Sequence, residues 1–568
     1  MGRAGRAMSG RLWSPAAAAS ALKTTLGLLI AWAIVLWYQW PDPFLAPIAV
    51  LFLQTPYLGA SLRKGLMRVI GTLAGALLVL ALLALLEQQR WALLGSIALL
   101  LACSVYMIRH SRYGYAWFMV AITAAIIATD AAARPNLAFE LAVYRTSEAI
   151  VGILVVLTIN GILWPRTGGH AYAARYRETV AALAAHLGAL ARTIEAPGDQ
   201  DYPALPRALR RAPIELREIL TAATLDSARF RRLQATYEAQ IQGVTATLGA
   251  LAGLGENLRL AVDTERAFLT QRQRARLSKS LARLAEAAAA IQVTSHPNPG
   301  PPAERGFSAA LRAAQHEQEA LLADSARNAG SPRESALLHA LCSQLATLSG
   351  KIAQQQETAA AIAADQPLPA AVSPAQVRLP WRERLLDAVP NAVLIALVFW
   401  VSILLWIELQ WPPIGPLGVL MGVVLIGIDT IQNRPELAPA KRVALGTTLG
   451  LVLAAPLYLV IMPQLDGFVA LALVLFPLFF TTTYFFHALP APNNLPFTGM
   501  TLTLIIMLQL EPRQTYDVLI YLRDAASLLT GFAIALTGLA LARPSSPQER
   551  LRRCMRALLN TMQRAQSD

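Results

Sequence analysis

Charge is scarce in this chain. Of its 568 residues only 15% are Asp, Glu, Lys or Arg, whereas 55% are apolar and the mean hydropathy is +0.45. Several stretches approach the roughly 20 residues that span a hydrocarbon core with almost no charge. A water-soluble chain has no interior that would hide so many runs, so composition points to an integral membrane protein. Cysteine is scarcer still. Cys103, Cys342 and Cys554 form neither a metal-ligand spacing nor a disulfide framework, which argues against a zinc module or a stapled scaffold and leaves unpaired thiols. Catalytic signatures are missing too. There is no GxxxxGK[ST] phosphate loop, no GxSxG serine and no His/Cys/Asp cluster at metal spacing. The chain is therefore expected to be no enzyme, to carry no cofactor or metal, and to draw any transport energy from an ion gradient rather than from its own ATP hydrolysis.

Positive charge is the exception, with 49 Lys and Arg against 35 Asp and Glu and a formal charge of +14. The basic residues do not gather into one aromatic-laced patch, which argues against nucleic-acid binding. They fall in short clusters between apolar runs: Arg3, Arg6 and Arg11; Arg63, Lys64 and Arg68; Arg109 and Arg112; Arg382 and Arg384; Lys441 and Arg442; Arg550, Arg552 and Arg553. That is the pattern of cytoplasmic loops under the positive-inside rule. The basic N-terminus followed by an apolar stretch resembles a signal peptide. The stretch is long and has no small-residue cleavage site after it, so it reads as a retained first helix.

Hydropathy predicts six spans in a first transmembrane half (1–165), near 22–38, 44–62, 66–86, 91–108, 115–129 and 143–164. Six more follow in a second half (386–543), near 388–408, 414–431, 442–462, 468–486, 495–510 and 518–541. Loop charge places both termini in the cytoplasm. Between the halves, 166–385 is rich in Ala, Leu, Arg, Glu and Gln, with apolar residues at three- and four-residue spacing, as in Leu216, Ile219, Leu220 and Ala223. It reads as a cytoplasmic helical domain whose simplest role is to tie the halves or pair two subunits; a regulatory or substrate-sensing role is the alternative. A basic cytoplasmic tail, 544–568, ends the chain. The fold class expected is all-α: two six-helix halves in parallel repeat with a helical domain between them.

The repeat is carried by three landmarks in the same order. QWPDPFLAPIAVLF from Gln39 answers to QWPPIGPLGVLMGV from Gln410; RVIGTLAG from Arg68 answers to RVALGTTLG from Arg442; and YRTSEAIVG, with Arg145 and Glu148, answers to YLRDAASLLTG, with Arg523 and Asp524. Six spans per half give both copies one orientation, related by an axis along the membrane normal. The second span of each copy is interrupted by proline, at Pro43, Pro47 and Pro56 and at Pro412, Pro413 and Pro416. Broken helices at matching positions of two repeats point to a transport site, or else mark a packing kink. Pro47, Gln54, Tyr57 and Pro416 are accordingly candidate substrate contacts, although aromatic residues there also suit packing. The GxxxG pairs Gly71–Gly75 and Gly446–Gly450 read as helix-packing sites. Arg68 and Arg442, on the same helices, suit an organic anion or lipid headgroups. Arg145 and Arg523 are candidate substrate-carboxylate partners and Glu148 and Asp524 candidate proton carriers, since intramembrane charges are expensive; a static ion pair is the plainer reading.

The WP turn with its proline-rich second span, the R-x-x-G-T-x-x-G helix and their recurrence after a helical insert resemble the fusaric acid resistance family, which is also the aromatic acid exporter family of Gram-negative inner membranes. The residues that carry the resemblance are 40–52, 68–75, 411–424 and 442–450; Pro412–Pro413 and the longer loop before Arg442 depart from the first copy. The resemblance implies efflux of aromatic carboxylic acids or related toxic compounds, a proton gradient as energy source, and a periplasmic adaptor of the membrane-fusion type. Plant malate channels of similar architecture make a passive organic-anion channel the alternative, and a membrane scaffold is a third. A homodimer is expected from the helical domain and the GxxxG faces.

Overall fold

Helices follow the apolar runs. The computed structural model describes residues 14–41, 43–55, 57–86, 88–133, 137–165, 167–195, 202–264, 270–291, 301–327, 332–368, 381–408, 437–490, 492–512, 514–541 and 555, and every regular element among them is helical. The chain divides into two compact units, Met1–Pro56 with Ser61–Pro165 and Val377–Asp568, and Tyr57–Ala60 with Arg166–Gln376.

The first unit contains α1 (Pro15–Trp37), α2 (Leu45–Leu53), α3 (Leu58–Leu86, its first turn counted with the second unit), α4 (Arg90–His110), α5 (Gly114–Ala133) and α6 (Ala138–Ile162). Proline starts α1 at a position where no backbone donor is needed, and the Ser14 side chain accepts from Ala17 N–H at 3.4 Å. Eight helices among the described residues are long and apolar enough to cross a membrane, and two shorter apolar helices accompany them. The exposed face of α3 is apolar, with Leu62, Leu66, Ile70, Leu73 and Leu77 at helical spacing, as a lipid-facing surface requires. The protein is a multi-pass membrane protein.

The expected second span differs from what is observed. The expected interruption is there, but the bounds are not: α2 is nine residues long, the backbone is extended at Gln54, and helix resumes at Leu58 to run unbroken to Leu86, so the end of the span expected at 44–62 belongs to the helix expected at 66–86. Pro47 lies in the first turn of α2, where it removes no helical hydrogen bond, so it does not bend the helix. Near 14 Å long at 1.5 Å per residue, α2 falls well short of a bilayer core. It survives because protein surrounds it: every residue but Phe52 is buried. Gly152 of α6 permits the approach, since a Cβ there would lie 2.6 Å from that of Ala49. The counterpart expected at 414–431 lies outside the described residues, as does the tail apart from Met555.

The same unit takes in α14 (Trp381–Glu408), α15 (Leu437–Pro456, continued by a π turn at Leu457–Ile461), α16 (Gly467–Ala488), α17 (Leu495–Met507) and α18 (Val518–Leu541). Both GxxxG pairs act in close packing. Gly71 and Gly75 face the backbone of α5 at Ala116 and Val120, and Gly446 and Gly450 face that of α17 at Pro496 and Met500. α1 packs on α16, with Trp32 against Phe479 (ring centroids 5.4 Å) and the Thr25 and Thr483 hydroxyls 3.2 Å apart. α4 packs on α14, with Trp91 and Trp400 stacked at 6.3 Å.

The second unit is a bundle of α7 (Gly168–Glu195), α8 (Arg207–Asp226), the short α9 (Ala228–Arg232), α10 (Gln234–Thr264), α11 (Gln271–Ala289), α12 (Pro301–Arg327) and α13 (Pro332–Ala363). Its helices are amphipathic: α8 buries Leu209, Ala212, Leu216, Ile219, Leu220 and Ala223, the periodicity read from the sequence. These residues join one apolar core with residues of α7 and α10–α13.

Candidate functional site

The two ends of α2 are where polar groups gather inside the first unit. A helix end leaves backbone donors without partners, and hydrocarbon supplies none. At the N-terminus Glu148 of α6 fills that need: its Oε2 accepts from Leu45 N–H at 2.8 Å. Its Oε1 accepts from Arg145 Nη1 at 3.1 Å, and the Arg145 guanidinium lies over the Phe44 ring, 4.6 Å from its centroid. Both side chains are buried, Glu148 completely. The i,i+3 spacing puts them on one face of α6, and the positive end of α2 stabilises the carboxylate. A helix terminus, a carboxylate and an arginine thus form one unit in which none can be removed without stranding another.

At the other end of α2 a neutral network replaces the charges. Gln54 donates to Asn160 Oδ1 at 3.0 Å, Asn160 to Ser61 Oγ at 3.3 Å, and Ser61 to the Leu53 carbonyl at 3.1 Å. The Thr55 and Ser61 hydroxyls are 2.7 Å apart. The network closes the break between α2 and α3. Just beyond Asn160 in sequence, the Trp164 carbonyl accepts from Lys23, which is buried in α1, at 3.1 Å.

In the second copy Asp524 of α18 accepts from the Gln509 side chain, and Arg523 approaches it at 3.5 Å. Gln509 has positive φ, 44°, at the end of α17, which turns its side chain back towards α18. The pairing is looser than in the first copy, because adjacent helical residues do not face each other and Arg523 is a third exposed.

Of the residues singled out in the sequence, Arg145 and Glu148 are brought together with the start of α2, whose first turn holds Pro47. Gln54 lies at the opposite end. Tyr57 is counted with the second unit and packs, half-buried, against that unit's apolar core. Pro416 lies outside the described residues. Sequence reasoning missed Asn160, Ser61 and Lys23. Asn160 and Lys23 carried a readable signal, a polar residue within an apolar run. Arg68 suits an organic anion or lipid headgroups by its sequence position. It is 4% exposed, and its Nε has no acceptor among the described residues. No group of three or more His, Cys, Asp or Glu among the described residues could hold a metal ion.

A helical, multi-pass unit with buried charges at a broken helix defines the class: a membrane protein with an ionisable interior. The profile of the fusaric acid resistance protein family matches residues 17–568, and the chain belongs to that family. Among curated proteins it is similar to the p-hydroxybenzoic acid efflux pump subunit AaeB of Enterobacter cloacae subsp. cloacae, with 28% identity over 120 residues. The matched stretch covers 20% of this chain and 17% of that protein, so the chain spans less than a fifth of the relative's length.

Proposed function

We propose that this protein exports small aromatic carboxylic acids or related toxic compounds across a bacterial inner membrane, driven by protons and working with a periplasmic adaptor. Family membership and a relative named as an efflux pump subunit for p-hydroxybenzoic acid support the reading. The observation that carries it is the short buried helix α2, whose N-terminus rests on a buried carboxylate already paired with an arginine. A proton delivered to Glu148 removes the negative charge that Leu45 N–H and Arg145 share. The helix terminus and guanidinium then carry more positive potential than before, which a substrate carboxylate offsets. When substrate leaves, Glu148 loses its proton to restore the pair, so protonation of Glu148 and binding of the acid favour each other at one site. Asp524 and Arg523 take the same parts in the second copy, with Gln509 as the partner that holds Asp524. Arg68 provides a further stop for the anion, since it is buried and its Nε has no acceptor among the described residues.

Two parallel six-helix halves with both termini in the cytoplasm are part of the proposal. The reciprocal packing of the first span of each half on the fourth of the other, α1 on α16 and α14 on α4, supports it. That exchange is what an axis through the bundle would produce.

Purified protein in proteoliposomes loaded with labelled p-hydroxybenzoate tests the reading. An imposed pH gradient should drive transport, and an uncoupler should abolish it. Glu148→Gln should retain binding and lose the response to the gradient. Flux of equal size without a gradient would instead identify a passive anion channel. Unaltered export by the Arg145→Ala, Glu148→Gln, Arg523→Ala and Asp524→Asn variants would leave the charges without a transport role.

A further inference from the structure

Helix α3 is the most apolar of the helices long enough to cross a membrane, and among the least buried. Its first turn, through Ala60, is counted with the second unit, and the next turn carries Arg63 and Lys64, both exposed. Arg63 makes no hydrogen bond or ion pair with a described residue. Leu66, Ile70, Leu73 and Leu77 follow it three, seven, ten and fourteen residues on, so they stand in one row on its side of the helix, and all four are exposed. From Leu66 to Leu77 the row is roughly 16 Å long, half of the ~30 Å hydrocarbon core and so the depth of one leaflet.

The packing of α3 on α5 brings more positive charge to the same level. Gly71 faces Ala116 and Gly75 faces Val120, so the two helices run parallel and in step. Seven residues before Gly71, Lys64 meets the start of α5, its Nζ 5.9 Å from the centre of the Tyr115 ring. The turn that leads into α5 holds Arg112, which is exposed, with its guanidinium 4.6 Å from the centre of the Tyr113 ring. No carboxylate of these elements offsets the charge: between residues 58 and 129 the one Asp or Glu is Glu87, which follows the opposite end of α3 in sequence. Exposed positive side chains thus stand at the foot of an apolar row that is open to lipid.

We propose that this foot of α3 binds an anionic phospholipid, its phosphodiester on Arg63 and Lys64 with Arg112 beside them, and one acyl chain laid along Leu66, Ile70, Leu73 and Leu77. A phospholipid answers both features at once, charge at one end and apolar length at the other. An acidic peptide would satisfy the cations and leave the apolar row uncovered. A second copy of this chain meeting the same face would set like charges against each other. The site uses none of Arg68, Arg145, Glu148, Arg523 and Asp524 and involves no transport step, so it stands or falls separately from the export reading.

The test is native mass spectrometry of the full-length protein released from detergent micelles. Phosphatidylglycerol and phosphatidylcholine with the same acyl chains are the probes, titrated separately. The wild type should bind at least one phosphatidylglycerol roughly thirtyfold tighter than phosphatidylcholine, from about fivefold for each of two cations. Arg63→Gln/Lys64→Gln should hold one such lipid fewer. If that variant does not fold, Arg63→Gln decides, and it should weaken one bound phosphatidylglycerol about fivefold. Arg90→Gln removes an exposed charge at the start of α4, away from this foot, and should bind as the wild type does. Glycerol 3-phosphate, which has the headgroup phosphate without acyl chains, should not compete. Equal affinity of the wild type for the two lipids, undiminished binding by Arg63→Gln/Lys64→Gln or by Arg63→Gln, an equal loss in Arg90→Gln, or competition by glycerol 3-phosphate would each overturn the proposal.

Discussion

Arg145 and Glu148 show what a buried charge requires of its neighbours. Each oxygen of Glu148 has a donor, and Arg145 lies against an aromatic face as well. Removing one member strands the other, at about 3–5 kcal/mol for a buried pair. Arg145→Ala should therefore lower the thermal stability of the purified protein strongly. The double variant Arg145→Met/Glu148→Gln, which keeps an acceptor for Leu45 N–H, should recover most of the loss. Equal stability of the single and double variants would show that the two charges are not coupled. Residues of the second unit answer to pH and to thiol reagents. Burial holds the His186 imidazole below its ordinary value of 6.5. The unfolded chain then takes up a proton that the folded one resists, so stability is full above pH 6.5 and falls as pH drops below it. His186→Gln should flatten that decline in melting curves between pH 6.5 and 5. Cys342 is buried and its thiol is pushed up to about 11. Iodoacetamide at pH 8 should leave Cys342 unmodified until denaturant is added, as read by peptide mass spectrometry.

Among elements, the break after α2 was legible in part. Prolines at 43, 47 and 56 marked the segment as irregular, but they did not say where helix would stop. Proline in a first turn is harmless and elsewhere disruptive, so the outcome turned on where α2 began. That start is fixed by Glu148, about 100 residues away, and the far end by Asn160 and Ser61. Asn160→Leu should loosen the link between α2 and α3, seen as faster amide exchange over residues 53–61 with little change in α5. The glycine pairs were fully legible, because close approach in lipid needs a missing Cβ and the spacing puts two such gaps on one face. A side chain at Gly71 would meet the carbonyl of Ala116, which backbone cannot yield. Gly71→Leu should cost well over the 1–3 kcal/mol of ordinary overpacking and abolish folded protein in the membrane fraction. Leucine at Gly95, which faces open space, should be tolerated.

For the molecule as a whole, the reciprocal contacts of α1 with α16 and α4 with α14 tie residues more than 300 positions apart. Cysteines replacing Thr25 and Thr483 should form a disulfide on mild oxidation, detected as two fragments held together after a protease cut in the second unit and released by reductant. Separation of the fragments without reductant would place α1 and α16 apart.

Amino-acid order alone determined that this chain crosses a membrane several times, that a region of amphipathic helices lies between its apolar ones, and where glycine pairs open a helix face to close packing. Those properties depend on local composition, hydropathic length and spacing, which are written along the chain. Folding in three dimensions decided that α2 is a half-helix, that Glu148 is its cap and that Tyr57 packs in the second unit. It also decided that the sequence-distant Tyr172, Asp226, Phe230 and Tyr237 line one cavity. Each of these depends on which distant backbone donor or ring comes within reach, a choice made by packing between helices and carried by no run of neighbouring residues.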